Sequence, residues 1–215
     1  MRARALGYGV VLVLAIASIT LQMSLPSSDG SRFLTIVLQA ATLVAAVRVS
    51  GMLRTTLRLA SLTAGVLVVV SAIAWAITGD LPQGAAAIVN GLLVAVAPVA
   101  IARGLLRDLR ENSEVGATTL AGVLAIYLLA GMFFSFVYGV IGAVDSDRLF
   151  TQMSSPDRQN ELYFSFVTQT TVGYGDLTPA GGAARSIAVA EMLFGQIYLV
   201  TVVSLIVSNL PARRR

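Results

Sequence analysis

The sequence predicts an all-α membrane protein: six transmembrane helices, with a shorter re-entrant helix and a glycine-containing turn between the fifth and the sixth. Three observations carry that prediction. The 215 residues are 56% hydrophobic and only 12% charged, with a mean hydropathy of +0.82, which is more apolar surface than a soluble core of this size can hide. The apolar residues fall in six runs, at about 6–25, 33–49, 57–78, 84–102, 117–142 and 186–210. Each is near the length that crosses a bilayer as a helix, the second at the short limit. Finally, the arginines collect in alternate connections between the runs, as they do when one side of the membrane retains positive charge.

The first run follows Arg2 and Arg4. A signal peptide shares those features, but this run is about twenty residues long and no clear small-x-small cleavage site follows it. Pro26 to Ser31 separates the first and second runs, and Thr78 to Pro82 separates the third and fourth. Pro98 lies inside the fourth run, where a membrane helix tolerates it as a kink. Residues 85–102 carry no charge, and spans two and three hold no acidic countercharges. A charge crossing the field is worth about 2.3 kcal/mol per 100 mV, so a span without charges gives voltage little to act on. Residues 1–102 therefore form a four-helix transmembrane unit that is not a conventional voltage sensor.

The segment 103–116 places Arg107 and Glu111, and Arg110 and Glu114, four apart, a helix-supporting spacing. Leu105, Leu106 and Leu109 gather on another face. Two readings stand: an amphipathic helix lying on the inner membrane surface, or a plain solvated connector. Residues 117–210 then form the last unit, and 211–215 a short basic tail.

Topology follows from the arginines. Arg2, Arg4, Arg48, Arg54, Arg58, Arg103, Arg107, Arg110, Arg213, Arg214 and Arg215 fall on one side of a six-span path. The other side receives Arg32, Arg148, Arg158 and Arg185, with most of the acids. Both termini are expected to be cytoplasmic, in a bacterial inner membrane. All fifteen basic residues are arginine, a composition that points to coding bias. The net charge of +4 is spread between helices and gives no nucleic-acid footprint. There is no Cys and no His, which removes disulfides, thiol chemistry, imidazole acid–base work and the usual zinc or haem ligands. No cofactor and no catalysed reaction are expected.

The stretch from Thr168 to Pro179 reads TQTTVGYGDLTP. Its central part, Thr171 to Asp176, follows a short amphipathic run, 161–170, and precedes the last apolar run. Gly173 and Gly175 permit left-handed backbone angles at no steric cost. The whole stretch resembles the pore signature of potassium channels, and residues 117–210 resemble their two-helix pore domain. The resemblance implies a homotetrameric pore in the lipid bilayer whose backbone oxygens replace the water shell of K⁺. Thr171, Val172, Gly173, Tyr174 and Gly175 would form the filter, with the Thr171 hydroxyl adding a ring of oxygens. Val172 would pack backwards and Tyr174 wedge outward. Residues 117–144 would be the outer helix, 145–160 a polar extracellular turret and 161–170 the pore helix. Tyr163 and Phe164 resemble the aromatic cuff that braces the filter tyrosine, although ordinary interface packing explains them equally. Thr170 and Asp176 would support the filter.

Two departures from the family pattern stand out. Some bacterial potassium channels place a Glu at the position of Val167, where it pairs with the filter Asp, so slow inactivation should differ here. The chain ends at Pro211 and three arginines, so gating by an attached cytosolic ligand-binding domain is not expected. In the last span, Gly195 matches the hinge glycine of many inner helices, with close helix packing as the competing explanation. Gln196, Leu199 and Val203 share a face that would line the cavity of such a pore, and Val203 and Val207 are candidates for an apolar constriction. Glu191 is an intramembrane acid, costly and therefore expected to have partners, with Gln169 or Thr170 the candidates. The expectation is a K⁺-selective channel subunit. A transporter subunit would need four loops in one chain. A non-conducting regulatory subunit and a weakly selective cation channel are the remaining alternatives.

Overall fold

The computed structural model describes residues 2–52, 54–112, 116–144, 149–154 and 157–208. They form seven helices: α1 Arg2–Ser24, α2 Asp29–Val49, α3 Arg54–Thr78, α4 Gln83–Asn112, α5 Ala117–Val144, α6 Arg158–Gln169 and α7 Gly182–Ser208. Six are long and apolar enough to cross a membrane, and α6 is the short one between the last two. Among the described residues, only isolated bridges, Phe150 with Met153 and with Pro179, interrupt the all-helical architecture. In an apolar medium a helix satisfies its own backbone, which is why spans of this composition fold this way.

The core lies where α4 crosses α5 and α2. Leu93, Val94, Ala97 and Ile101 of α4 are buried with Ala125, Leu129, Met132 and Phe136 of α5. Small residues allow the close approaches. A Cβ on Gly104 would meet the Tyr8 hydroxyl and the backbone of Ser50, and one on Gly84 would meet Ala143. These two glycines sit near opposite ends of α4, so the helix is gripped along its length. A polar contact joins α1 to α2: Gln39 Nε2 donates to Ser18 Oγ at 2.8 Å, and Gln22 Nε2 donates to the same oxygen at 3.1 Å. The bond from Gln39 is interhelical, and such bonds contribute about 0.6 kcal/mol in a bilayer. Ser28 caps the start of α2, and Asp29 beside it pairs with Arg32 at 3.0 Å and accepts from Leu81 N, while Arg32 donates to Leu81 O at 2.7 Å. The two turns before α2 and α4 are thereby fastened together.

α3 is peripheral and packs mainly on α2. Its outer face exposes Leu62, Val66, Ile73 and Ile77, a surface suited to lipid.

Two features differ from the sequence expectation. No separate helix begins at Arg103: α4 runs on without a break through Pro98 to Asn112. The reason is packing, since Gly104 and Leu105 are buried against Ser50 and Gly122, leaving nothing to turn the chain onto a surface. The pairs Arg107 with Glu111 and Arg110 with Glu114 lie outside the described side chains, as does the 211–215 tail. Second, the segment expected to be a polar turret contains a buried pair, Leu149 and Phe150. Thr151 N donates to Thr178 O at 3.0 Å and Ala180 N to Leu149 O at 3.0 Å, so this segment is stitched to the turn that follows residue 176.

Candidate functional site

α6 begins at an N-cap, Asp157, whose carboxylate accepts from Asn160 N at 3.0 Å, and ends at Thr170. Its buried face carries Glu161, Ser165 and Gln169, four apart, with Leu162 and Phe164 beside them. Residues four apart stack on one side of a helix, so an apolar-looking segment presents a buried polar stripe to its neighbours.

Each member of that stripe has its own partners. Gln169 Nε2 donates to Tyr127 O at 2.9 Å, and Tyr127 Oη donates to Gln169 O at 3.3 Å. Ser165 Oγ contacts Glu191 and lies 2.7 Å from Gly131 O, while Tyr138 Oη donates to the other Glu191 oxygen at 2.7 Å. A hydroxyl has one proton to give. With a proton on the carboxyl, Glu191 donates to Ser165, Ser165 donates to Gly131 O, and Tyr138 donates to Glu191. Every group is then satisfied, and no isolated charge sits in the apolar slab.

The expected partners of Glu191 were Gln169 and Thr170, and the geometry corrects this. α6 and α7 run parallel, and a Cβ on Gly195 would overlap the Gln169 carbonyl oxygen. One turn earlier on each helix, Ser165 meets Glu191. Thr170 is exposed and its hydroxyl donates back to Phe166 O at 2.6 Å. The buried stripe of α7 is Ala184, Ala188, Glu191 and Gly195, three small residues and the acid, which brings the two helices into close contact. Gly195 thus sits at a close approach, the packing alternative raised by the sequence. Gly131 of α5 plays the same part on the other side, against Gln169 and Phe166.

The chain then turns sharply. Val172 N donates to Val167 O at 3.0 Å, as does Gly173 N at 3.4 Å. Thr171, Gly173 and Gly175 have φ of 57°, 57° and 81°, whereas Val172 and Tyr174 between them do not take positive values. Every second residue is therefore left-handed. For Thr171, a residue with a Cβ, this conformation costs about 1–2 kcal/mol. The sequence signalled the two glycines but not the threonine.

Tyr163 and Phe164 go to different places. Tyr163 stacks on Tyr174, with centroids 6.5 Å apart and planes 3° from parallel, and its hydroxyl donates to Asp176 Oδ2 at 2.7 Å. That bond is the main reason the Tyr163 phenol is pushed up to about 12. Phe164 instead points into a second core with Tyr138 and Phe150, at centroid distances of 5.0 and 4.9 Å. Among the described residues, Tyr163 is the aromatic ring that packs on Tyr174. Val172 and Tyr174 are 53% and 71% exposed and border a groove with Ile19, Met23 and Phe166. On α7, Gln196 and Leu199 are exposed. The side chains of Val203 and Val207 lie outside the described residues.

Sequence reasoning missed Ser165 and Tyr138 as partners of Glu191, and missed the bonding of Arg158. The signal that could have found Ser165 was the four-residue spacing of Glu161, Ser165 and Gln169.

Residues 122–210, which hold most of α5, all of α6, the filter-like turn and α7, match the family model described as an ion channel. The chain is also similar to "Protein LctB" of Bacillus caldotenax, at 36% identity over 85 residues, covering 36% of this chain and 62% of that protein. The chain thus spans less than two thirds of the length of this curated relative. With six long apolar helices, the match supports an ion-channel domain within a multi-pass membrane protein.

Proposed function

We propose that the chain is one subunit of a homotetrameric, potassium-selective channel. The observation that carries this reading is the alternation of left-handed residues at Thr171, Gly173 and Gly175 in the sequence TVGYG, set at the C-terminal end of α6. In an extended strand, neighbouring residues face opposite ways. Reversing the backbone hand at every second residue undoes the alternation, so that successive carbonyls turn to one side. Four such ribbons around an axis give stacked rings of oxygens, the coordination that replaces the water shell of K⁺. The Thr171 hydroxyl supplies the innermost ring.

The tetramer is supported by what one chain leaves uncovered. Val172, Tyr174 and a face of α7 with Leu193, Ile197 and Val200 are exposed apolar groups next to the filter-like turn, where neighbouring subunits would cover them. The C-terminal end of α6 points its negative dipole end toward the inner side of that turn, a favourable site for a cation. Asp176 and the filter mouth face the outside in the topology set by the arginines, with both termini cytoplasmic in the inner membrane. K⁺ moves down its gradient, and α4, which lacks charge over 85–102, does not act as an arginine sensor.

The test is the reversal potential of purified protein in a planar bilayer with K⁺ on one side and Na⁺ on the other. A value displaced far toward the K⁺ equilibrium potential is expected. Clear current reversing near zero would overturn the selective reading, and assembled tetramers that carry no current under any stimulus would favour a regulatory subunit.

A further inference from the structure

The N-terminal turn of α6 is held by helices that a two-helix pore does not contain. Arg158 Nε donates to Gln22 Oε1 of α1 at 3.0 Å. Its Nη1 donates to Ser135 O of α5 at 3.1 Å and to Glu161 Oε2 at 2.8 Å, and its Nη2 donates to Ser135 Oγ at 2.7 Å. The guanidinium plane lies 3.8 Å from the centroid of the Phe136 ring. Glu161, 1% exposed, takes a further bond on its other oxygen from Gln83 Nε2 of α4, at 2.8 Å. Beside them, Gln159 Nε2 donates to Met23 O and Leu25 O, carbonyls at the end of α1 that have no partner within their own helix.

These bonds form one connected node. Arg158 engages four of its five N–H groups, one on Nε, two on Nη1 and one on Nη2. A buried ion pair is costly unless its remaining hydrogen-bonding capacity is filled in this way. Arginine suits the position because its planar fork fixes several partners at once, which an ammonium cannot do. α6 has 12 residues, so it is a rod of about 18 Å. A shift at its first turn is therefore delivered to its other end, at Thr170 and Thr171. The bonds from α1 and α4 are all within one chain, so each subunit aligns its own pore helix.

We propose that α1 and α4 clamp the pore helix, and that Arg158, Glu161 and Gln83 are positioning residues that set how α6 holds the filter. This inference rests on the potassium-channel reading above and gives the four-helix unit a role in ion selectivity.

The test uses the full chain, as purified tetramers, with Gln83→Ala, Arg158→Lys, Arg158→Gln and the double variant Gln83→Ala/Arg158→Gln. Reversal potential under K⁺/Na⁺ conditions is read beside tetramer fraction and melting temperature. Arg158→Gln removes the charge-assisted bonds that hold the first turn of α6, and the K⁺/Na⁺ permeability ratio should fall about tenfold or more. The fall should be smaller in Arg158→Lys and in Gln83→Ala. The double variant should be little worse than Arg158→Gln alone, because the groups act through one node. A merely structural brace would lower melting temperature and leave the reversal potential of assembled channels unchanged, and that result would overturn the proposal. Should Arg158→Gln fail to assemble, Gln83→Ala decides, since it leaves the Arg158–Glu161 pair in place. Should the wild type itself reverse near zero, the potassium-selective reading fails first. The clamp is then judged by amide exchange over residues 162–170, which faster exchange in Gln83→Ala supports and unchanged exchange overturns.

Discussion

Glu191 concentrates the cost of placing a carboxyl among apolar helices, and its hydrogen-bond arithmetic makes a sharp prediction. With the proton arrangement that satisfies every neighbour, Glu191 gives one hydrogen bond to Ser165 and takes one from Tyr138. Glutamine can do both with the same shape. Glu191→Gln should therefore keep tetramer melting within about 1 kcal/mol of wild type, since conservative swaps that retain bonds cost little. Glu191→Leu leaves the buried Tyr138 hydroxyl without its acceptor, at about 1–3 kcal/mol, while Ser165 keeps Gly131 O, and the variant should melt below it. Equal melting of the two variants in detergent would show that the bonds carry no weight. Tyr163 makes a second residue-scale case. Its folded pKa is raised to about 12, chiefly by the bond to Asp176, so the donor is fully present below pH 10 and is lost as pH rises through about 12. Tyr163→Phe keeps the stack on Tyr174 but removes that anchor. Current during a sustained pulse should decay several-fold faster in the variant, by the loss of about one hydrogen bond. Wild-type decay should be constant from pH 7 to 10 and approach that of the variant only toward pH 12. Wild-type decay that changed between pH 7 and 9 would assign the effect to another group.

At the scale of elements, the parallel packing of α6 on α7 bears on two explanations of Gly195. A hinge glycine would tolerate a methyl group sterically and would change the open probability. The overlap of a Cβ with the Gln169 carbonyl oxygen says instead that the helices must separate. Gly195→Ala should lower melting by about 1–3 kcal/mol, the usual cost of overpacking, and should also shift the reversal potential, because Gln169 lies two residues before Thr171. A variant with normal melting and normal selectivity but altered open probability would restore the hinge. The elements themselves were legible in the sequence for a simple reason: a bilayer demands long apolar runs, and arginines and prolines mark their ends. What was not legible depends on contacts between helices. The continuation of α4 past Arg103 is set by Gly104 and Leu105 burying against Ser50 and Gly122, which no periodicity within that segment encodes. Likewise the motif located the filter-like turn, but Phe164 turning away from it follows from the Tyr138–Phe150 core on other elements.

For the whole molecule, the question is whether the exposed turn is a finished site or one part of it. A single chain leaves Val172 and Tyr174 open and spends about 1–2 kcal/mol on the left-handed Thr171, a strain that persists only where its surroundings hold it in place. Within the chain, the bonds from Val172 and Gly173 to Val167 O and the Tyr163 stack on Tyr174 supply part of that hold. Neighbouring subunits and the ions between them would supply the rest. An ion that binds only the assembled, folded state stabilises it by mass action, by about 2.7 kcal/mol at a hundred times its dissociation constant. Tetramers heated in K⁺ should therefore dissociate at a higher temperature than tetramers heated in Na⁺ at the same ionic strength. The difference should shrink in Thr171→Ala, which removes the hydroxyl that would form the innermost ring of oxygens in the proposed filter. Native mass spectrometry gives the same comparison directly, as the fraction of a species four times the 22.5 kDa chain mass that survives heating in each salt. Identical survival in the two salts would mean that the turn holds no K⁺ in the assembled state. Survival that depends on the salt in wild type and not in Thr171→Ala would locate the stabilising ion at this turn.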